Sequence, residues 1–314
     1  MAHVEWFTRE YISRNGVCDK VKYFVVLDGD SPSRTGREYK RQLRRAEKNV
    51  QEAKTDAARS ANNNFRAGRD YMLTVTLSPE GLGELTRRAG SEEPDALLVS
   101  MRKEFVNWVR RAKRRMKGAD STLAEGAKAE GLNYMAWVCD LDGKTGELVQ
   151  PHIHVLVNAE GLQAMAETWK LGFVFGTGRK LYAAHHGDLT DLVEYVMKQS
   201  RQIGTEKRYI PSRNLDKPVA TAPRPARNPD APLRLPKGAS LICAEERRAG
   251  RPQKVRYYRP DKDCFKAGAK GGADDGEARG VDHDHHGPVR ASADRGGQRD
   301  RAGTPGRGEP ELDT

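Results

Sequence analysis

Hydrophobic and polar positions along the chain follow two rhythms, alternation and helical spacing. In YMLTVTLSPEG, residues 71–81, Leu73, Val75 and Leu77 alternate with Thr74 and Thr76, which predicts a strand ended by Ser78-Pro79. PHIHVLVN, residues 151–158, repeats the alternation. Ile153, Val155 and Val157 face a core, while His152 and His154 share the other face. An apolar run before it and the turn dipeptides Asp142-Gly143 and Thr145-Gly146 make residues 131–158 a predicted β-hairpin. Asp140 and Asp142 then sit on the first strand, or at its end, beside the histidines. KYFVVLDGD predicts another strand, closing in a turn at Asp28-Gly29-Asp30, and GFVFGTG a short extended piece.

Elsewhere the spacing is helical. Residues 95–117 carry Leu97, Met101, Phe105, Trp108 and Val109 on one stripe, read as core. The far face carries Arg102, Lys103, Arg110, Arg111, Lys113, Arg114 and Arg115, read as solvated surface or as a DNA contact. Residues 161–170 predict a helix with Leu162, Met165 and Trp169. In GDLTDLVEYVMKQS, residues 187–200, Asp188 is an N-cap and Asp191 favours a helix start. Leu189, Leu192, Val193 and Val196 form the buried stripe there; Tyr195 lies at its margin, with Lys198 one turn on. Residues 36–61 predict a very polar helix with a basic first half and a solvated face by default. Residues 218–238 are rich in Pro, Ala and Arg and read as a linker, and 240–260 as one more hairpin turning at Ala249-Gly250. From about Lys266 Gly, Asp, Arg and Ala dominate, which predicts a disordered tail with His283, His285 and His286 incidental.

Composition adds a partner. Charged residues make up 32% of the 314 and the formal net charge is +11, which points to a polyanion, with nucleic acid ahead of a membrane surface. No run is apolar enough to span a bilayer and no N-terminal secretory pattern is seen. Cys18, Cys139, Cys243 and Cys264 are scattered without a CxxC pair, which suits a reducing cytoplasm and argues against a zinc ribbon or a disulfide framework. GTGRKL, residues 176–181, lacks the spacing of a phosphate-binding loop, so an ATP-driven helicase activity is not evident.

Two imidazoles on one strand face can offer two nitrogens to a divalent metal; the plainer reading is two polar residues on a solvent face. An order of motifs favours the first reading. The strand YMLTVTLS, the strand PHIHVLVN and a helix carrying YVMK follow one another, within NNNFRAGRDYMLTVTLS, WVCDLDGKTGELVQPHIHVLVN, TWKLGFVFG and EYVMKQSRQIGTEKRYIPSRNLDKP. Over about residues 60–220 this resembles the HUH endonucleases, most closely the rolling-circle replication initiator (Rep) proteins of plasmids and phages. The resemblance implies an α+β fold, RRM-like, with a central antiparallel β-sheet and flanking helices.

It further implies that His152 and His154 are metal ligands, with Asp140 the candidate third ligand and Asp142 the second choice. Tyr195 would be the nucleophile, Lys198 its neighbour, and Mg²⁺ or Mn²⁺ the cofactor. Tyr182, Tyr209 and Tyr134 are its competitors; Tyr182, in or near a loop, and Tyr209, after the helix, do not share the placement of Tyr195. The implied organisation is an N-terminal segment with a basic helix (1–62), the nuclease domain (63–217), a linker and accessory hairpin (218–265) and the tail (266–314). The implied activity is nicking of single-stranded or hairpin origin DNA through a 5′-phosphotyrosine, leaving a 3′-hydroxyl that primes replication. A host helicase and polymerase would be partners, and no membrane. A relaxase, a single-tyrosine transposase or a non-catalytic DNA-binding protein are the alternatives.

Overall fold

Along the chain, β1 (His3–Ile12) and β2 (Asn15–Asp28) form a hairpin, and α1 (Glu38–Asn64) leads to β3 (Tyr71–Leu77). Next come α2 (Pro79–Ala89), α3 (Pro94–Asp120) and the hairpin of β4 (Tyr134–Leu141) with β5 (Leu148–Val157). Then follow α4 (Leu162–Thr168), β6 (Gly172–Phe175), the short α5 (Ala184–Gly187) and α6 (Thr190–Gln199). Three two-residue strands, β7 (Ile210–Pro211), β8 (Val219–Ala220) and β9 (Arg224–Pro225), precede β10 (Ser240–Glu245) and β11 (Gln253–Asp263). This computed structural model describes residues 3–28, 38–120, 131–203, 207–228, 230–245 and 253–267. The predicted tail beyond Ala267 and the Ala249-Gly250 turn lie outside the described residues.

The expected α+β class holds, with two antiparallel sheets among the described residues. The central one has five strands in the order β6-β3-β5-β4-β7. Because side chains alternate, its register decides which residues meet. Thr74 of β3 and Trp137 of β4 both pair with His154, and Cys139 pairs with His152. Ile153, Val155, Val157, Ala136 and Val138 point to one side, where Leu98, Met101, Phe105 and Trp108 of α3 complete the larger core. Trp108 lies edge-on to Trp169 at 5.0 Å and donates its indole N–H to the carbonyl of Met165 at 2.9 Å. Met135, Trp137, Cys139 and Leu156 point to the opposite side, beneath α1 and α6. The strand that bears the histidines is therefore sandwiched, where alternation alone suggested one wet face.

Helix α1 departs from its expected solvated face. Ala57, Ala58 and Ala61 are fully buried against Val193, Val196 and Met197 of α6. Alanine allows close approach of two helices without the bulky stripe that a hydrophobic pattern registers, which is why the burial is silent in the sequence. Helix α2 was also not anticipated, although Ser78-Pro79 marks its start. The Ser78 hydroxyl accepts from the Gly81 amide at 3.0 Å, Pro79 occupies the first turn, and Gly90 closes the helix at φ 69°.

The second sheet joins the first two strands to the last two described, in the order β10-β11-β2-β1, with β8 and β9 pairing β1. The predicted hairpin at 240–260 exists, Ser240 opposite Tyr258, but β11 pairs along β2, so it completes the sheet that β1 and β2 begin. Asp19 of β2 fastens this sheet to the helices. It accepts from Arg59 of α1 and from Arg256 of β11, each at 2.9 Å. Burial opposes its charge, yet Arg256, Lys254 and Arg59 hold its carboxyl below the usual range. Arg256 also lies 3.6 Å from Asp188, which accepts from Asn62 of α1 at 2.8 Å and from the Thr190 hydroxyl at the start of α6. Removing Asp19 strands two partly or wholly buried guanidiniums. Asp19→Ala is expected to lower unfolding stability by about 3–5 kcal/mol, read as a shift of the denaturant midpoint at constant slope.

Candidate metal centre

On β5 the two histidines face α6, with ring centroids 5.0 Å apart and planes at 90°. Each ring is oriented by a hydrogen bond on its Nδ1 side. His152 Nδ1 lies 3.1 Å from the carbonyl oxygen of Gln150, and since a carbonyl only accepts, that nitrogen carries the proton. Its Nε2 lone pair is left pointing inward. His154 Nδ1 is 2.9 Å from the Thr74 hydroxyl, which can accept from it and leave the second Nε2 free as well. This is the orientation that outer hydrogen bonds impose on metal-binding imidazoles. His154 is held neutral, its pKa pushed down to about 4 by burial first and by His152 second.

The third group is Gln199, at the end of α6. Its Oε1 lies 3.4 Å from the Nε2 of both histidines, while its own Nε2 is buried without a partner. The Gln199 oxygen thus converges with both ring nitrogens, which either a proton on His154 Nε2 or a cation at that point accounts for. Cys139, paired with His152 across the ladder, adds a fourth donor. Its sulfur and the ring nitrogens of both histidines lie within 4.8 Å of one another, so these three residues could hold a metal ion. The thiol is pushed well above its usual range by burial and by the neighbouring Asp140 charge, which leaves it protonated and inert when no metal is bound.

Asp140 does not join them and is corrected as a ligand. Next to Cys139 on the strand, it turns to the other side of the sheet, where Arg201 donates to its two oxygens at 3.1 and 2.9 Å. Arg201 in turn pairs with Asp95 of α3 at 2.9 Å. Asp142 is no ligand either: its Oδ1 accepts from the Lys144 and Thr145 amides, both at 2.8 Å, and so builds the hairpin turn.

Tyr195 and Lys198 both stand on α6 with exposed side chains, Tyr195 at 48%. The turn at Gly143 brings nucleophile candidate and amide together. A Cβ at Gly143 would meet Tyr195 Cε2 at 3.1 Å and Gln199 Cδ at 3.3 Å, so the turn packs tightly against both side chains. Of the other tyrosines, Tyr182 is exposed at 85%, Tyr209 lies beside Trp137 at 6.4 Å, and Tyr134 packs edge-on to Phe105 at 5.5 Å. The basic face of α3 lies on the far side of the sheet from the histidines. Arg111 pairs there with Glu104 and Arg115 with Glu167, so part of that charge is already neutralised.

Gln199 escaped the sequence reading, although a signal exists. It falls three residues after Val196 and seven after Leu192, a polar residue on an otherwise apolar stripe. Cys139 likewise follows from the hairpin, since it shares its face with Trp137 and stands opposite His152. No family model matches the chain, and neither a curated protein nor a solved structure does. None of the described helices is long and apolar enough to cross a membrane.

Three outcomes follow from this geometry. Gln199→Ala is expected to weaken Mn²⁺ binding by roughly tenfold or more, measured by titration calorimetry. Asp140→Ala is expected to leave that affinity unchanged and instead cost about 1–3 kcal/mol of stability, because Arg201 loses its buried partner and keeps only Asp95. The third outcome concerns pH. Between 6.5 and about 4 the unfolded chain takes up a proton at His154 that the folded chain refuses. Stability of the metal-free protein should therefore fall as pH drops through that window, by at most about 3 kcal/mol, and level off below it. Urea midpoints across the window check this, and His154→Gln should flatten that limb.

Proposed function

We propose that the protein is a metal-dependent DNA nicking and joining enzyme of the HUH type, acting as a rolling-circle replication initiator. The observation that carries this reading is one helix, α6, which lays a buried amide over two inward-turned imidazoles and exposes a tyrosine one turn earlier. The antiparallel sheet with helices on both faces and the His-x-His strand inside it support the same assignment.

His152, His154 and Gln199 would hold Mg²⁺ or Mn²⁺, both compatible with mixed nitrogen and oxygen donors. Bound there, the ion supplies Lewis-acid polarisation of a nonbridging phosphate oxygen. Tyr195 Oη attacks phosphorus, a new O–P bond forms, and the bond to the 3′-oxygen breaks. The phenol proton leaves to solvent and the departing oxygen gains one, giving a 5′-phosphotyrosine and a free 3′-hydroxyl. Lys198, exposed beside the tyrosine, holds a phosphate oxygen as a point charge. The ester is conserved in the adduct, so rejoining needs no ATP. The net charge of +11 suits a DNA backbone, and strand separation falls to a helicase supplied by the host, with a polymerase extending the 3′ end. A relaxase or single-tyrosine transposase would share this chemistry and differ in its DNA.

Tyr195→Phe keeps the ring and removes the attacking oxygen. With Mn²⁺ and a labelled single-stranded hairpin oligonucleotide, the wild type should give a covalent adduct on a denaturing gel. The Phe variant should fold normally and give none. An adduct of wild-type intensity from Tyr195→Phe moves the nucleophile elsewhere, and no adduct from the wild type on any origin-like DNA favours a non-catalytic DNA-binding protein.

A further inference from the structure

We propose that the same pocket is also a closed, four-donor zinc site, in which the Cys139 thiolate joins His152, His154 and Gln199. This rests on the metal-centre reading above and not on the tyrosine chemistry. The ladder pair of Cys139 with His152 places the sulfur on the histidine face, within 4.8 Å of both ring nitrogens. The thiol is engaged by nothing strong: its contacts to the carbonyls of Trp137 and Val196 are 3.7 and 3.9 Å. It is fully buried, so water does not compete for it. Independently of the cysteine, the Gln199 oxygen faces both imidazoles at 3.4 Å while its amide nitrogen is buried and unpartnered. Two imidazole nitrogens, one thiolate and one amide oxygen supply the four donors that a tetrahedral zinc site requires.

The donors discriminate between ions. Thiolate suits zinc, whereas magnesium and manganese favour oxygen and bind it weakly. With a hard ion Cys139 stays protonated, three protein donors engage, and positions remain for a phosphate oxygen. With zinc the thiol proton passes to solvent as the sulfur–zinc bond forms, and no electron changes hands. Four protein donors then fill the coordination sphere, as in structural zinc sites, while catalytic sites keep one position open. Zinc in this mode shuts out the phosphate that the harder ion admits.

Cobalt(II) reports on the site, because its spectrum reveals both thiolate ligation and coordination number. The full-length wild type with one equivalent of Co²⁺ should show a near-ultraviolet thiolate charge-transfer band and the intense visible bands of four-coordination. One equivalent of Zn²⁺ should remove both, and inorganic phosphate should leave them unchanged. Cys139→Ala should lose the charge-transfer band and bind Zn²⁺ roughly tenfold or more weakly. The double variant Cys243→Ala/Cys264→Ala should keep the band, which clears the two exposed thiols. A wild type without the band, a band that survives Cys139→Ala, or a six-coordinate spectrum that phosphate alters would each overturn the proposal. If Cys139→Ala does not fold, the wild type decides: a stoichiometric band lost in His152→Gln supports the site, and its absence refutes it. No readout uses DNA, so a wild type that fails to nick sinks the Tyr195 reading alone. Mn²⁺-dependent nicking without a thiolate band does the reverse.

Discussion

Burial of β5 on both faces is the constraint from which the site follows. A strand with one wet face could leave its histidines to solvent, but here α6 closes over them and each polar atom must find a partner. His154 meets that demand by staying neutral and bonding Thr74 through Nδ1, and His152 by turning Nδ1 to a backbone carbonyl. Both solutions use the outward nitrogen and leave the inward one. The ring nitrogens, the Gln199 oxygen and the Cys139 sulfur then lie close to one another beneath α6. Such a cluster is costly when empty and favourable around a cation.

The lid over that space is held from far away in sequence. The N-terminus of α6 is tied through Asp188 and Thr190 to Asn62 of α1, and through Arg256 and Asp19 to the sheet of β1, β2, β10 and β11. Arg59 closes the circuit, with its guanidinium 3.6 Å above the Tyr11 ring while it bonds Asp19. The second sheet is thus part of the structure that positions the helix over the histidines. Two consecutive residues beside this junction, His185 and His186, adopt positive φ of 51° and 61°, and His186 stacks on Tyr258 of β11 at 4.4 Å. Backbone strain at a non-glycine pair persists only where surrounding contacts over-determine it.

What could be read from the sequence was whatever depends on local period. The strands at 71–77 and 148–157, the helix at 94–120 and the amphipathic α6 all announce themselves through spacing, and so does the shared face of His152 and His154. Features that depend on pairing between distant segments were not legible. Nothing local says that Ala57, Ala58 and Ala61 are buried, that residues 253–263 complete a sheet begun at residue 3, or that β1 is a strand at all. Asp140 was misplaced for a related reason. Proximity in the hairpin was clear, but on a strand an adjacent residue faces away, and the face of Asp140 is that of Ala136 and Val138. The parity that excludes Asp140 selects Cys139.

That parity also separates the two jobs of the sheet. On the side of α3, Asp140 and Arg201 form a charged pair that links β4 to the end of α6 and, through Asp95, to α3. On the side of α6 lie the residues that could hold a cation. Gln199 and Arg201 are two residues apart, so the end of one helix serves both sides. Tyr195 and Gln199 are four apart, so the exposed phenol and the buried amide are separated by one helical turn, about 6 Å. A displacement of α6 therefore carries both together. The distance from the Tyr195 phenol to the Gln199 amide is fixed within a single helix, and docking of that helix over β5 is what remains for the rest of the chain to secure.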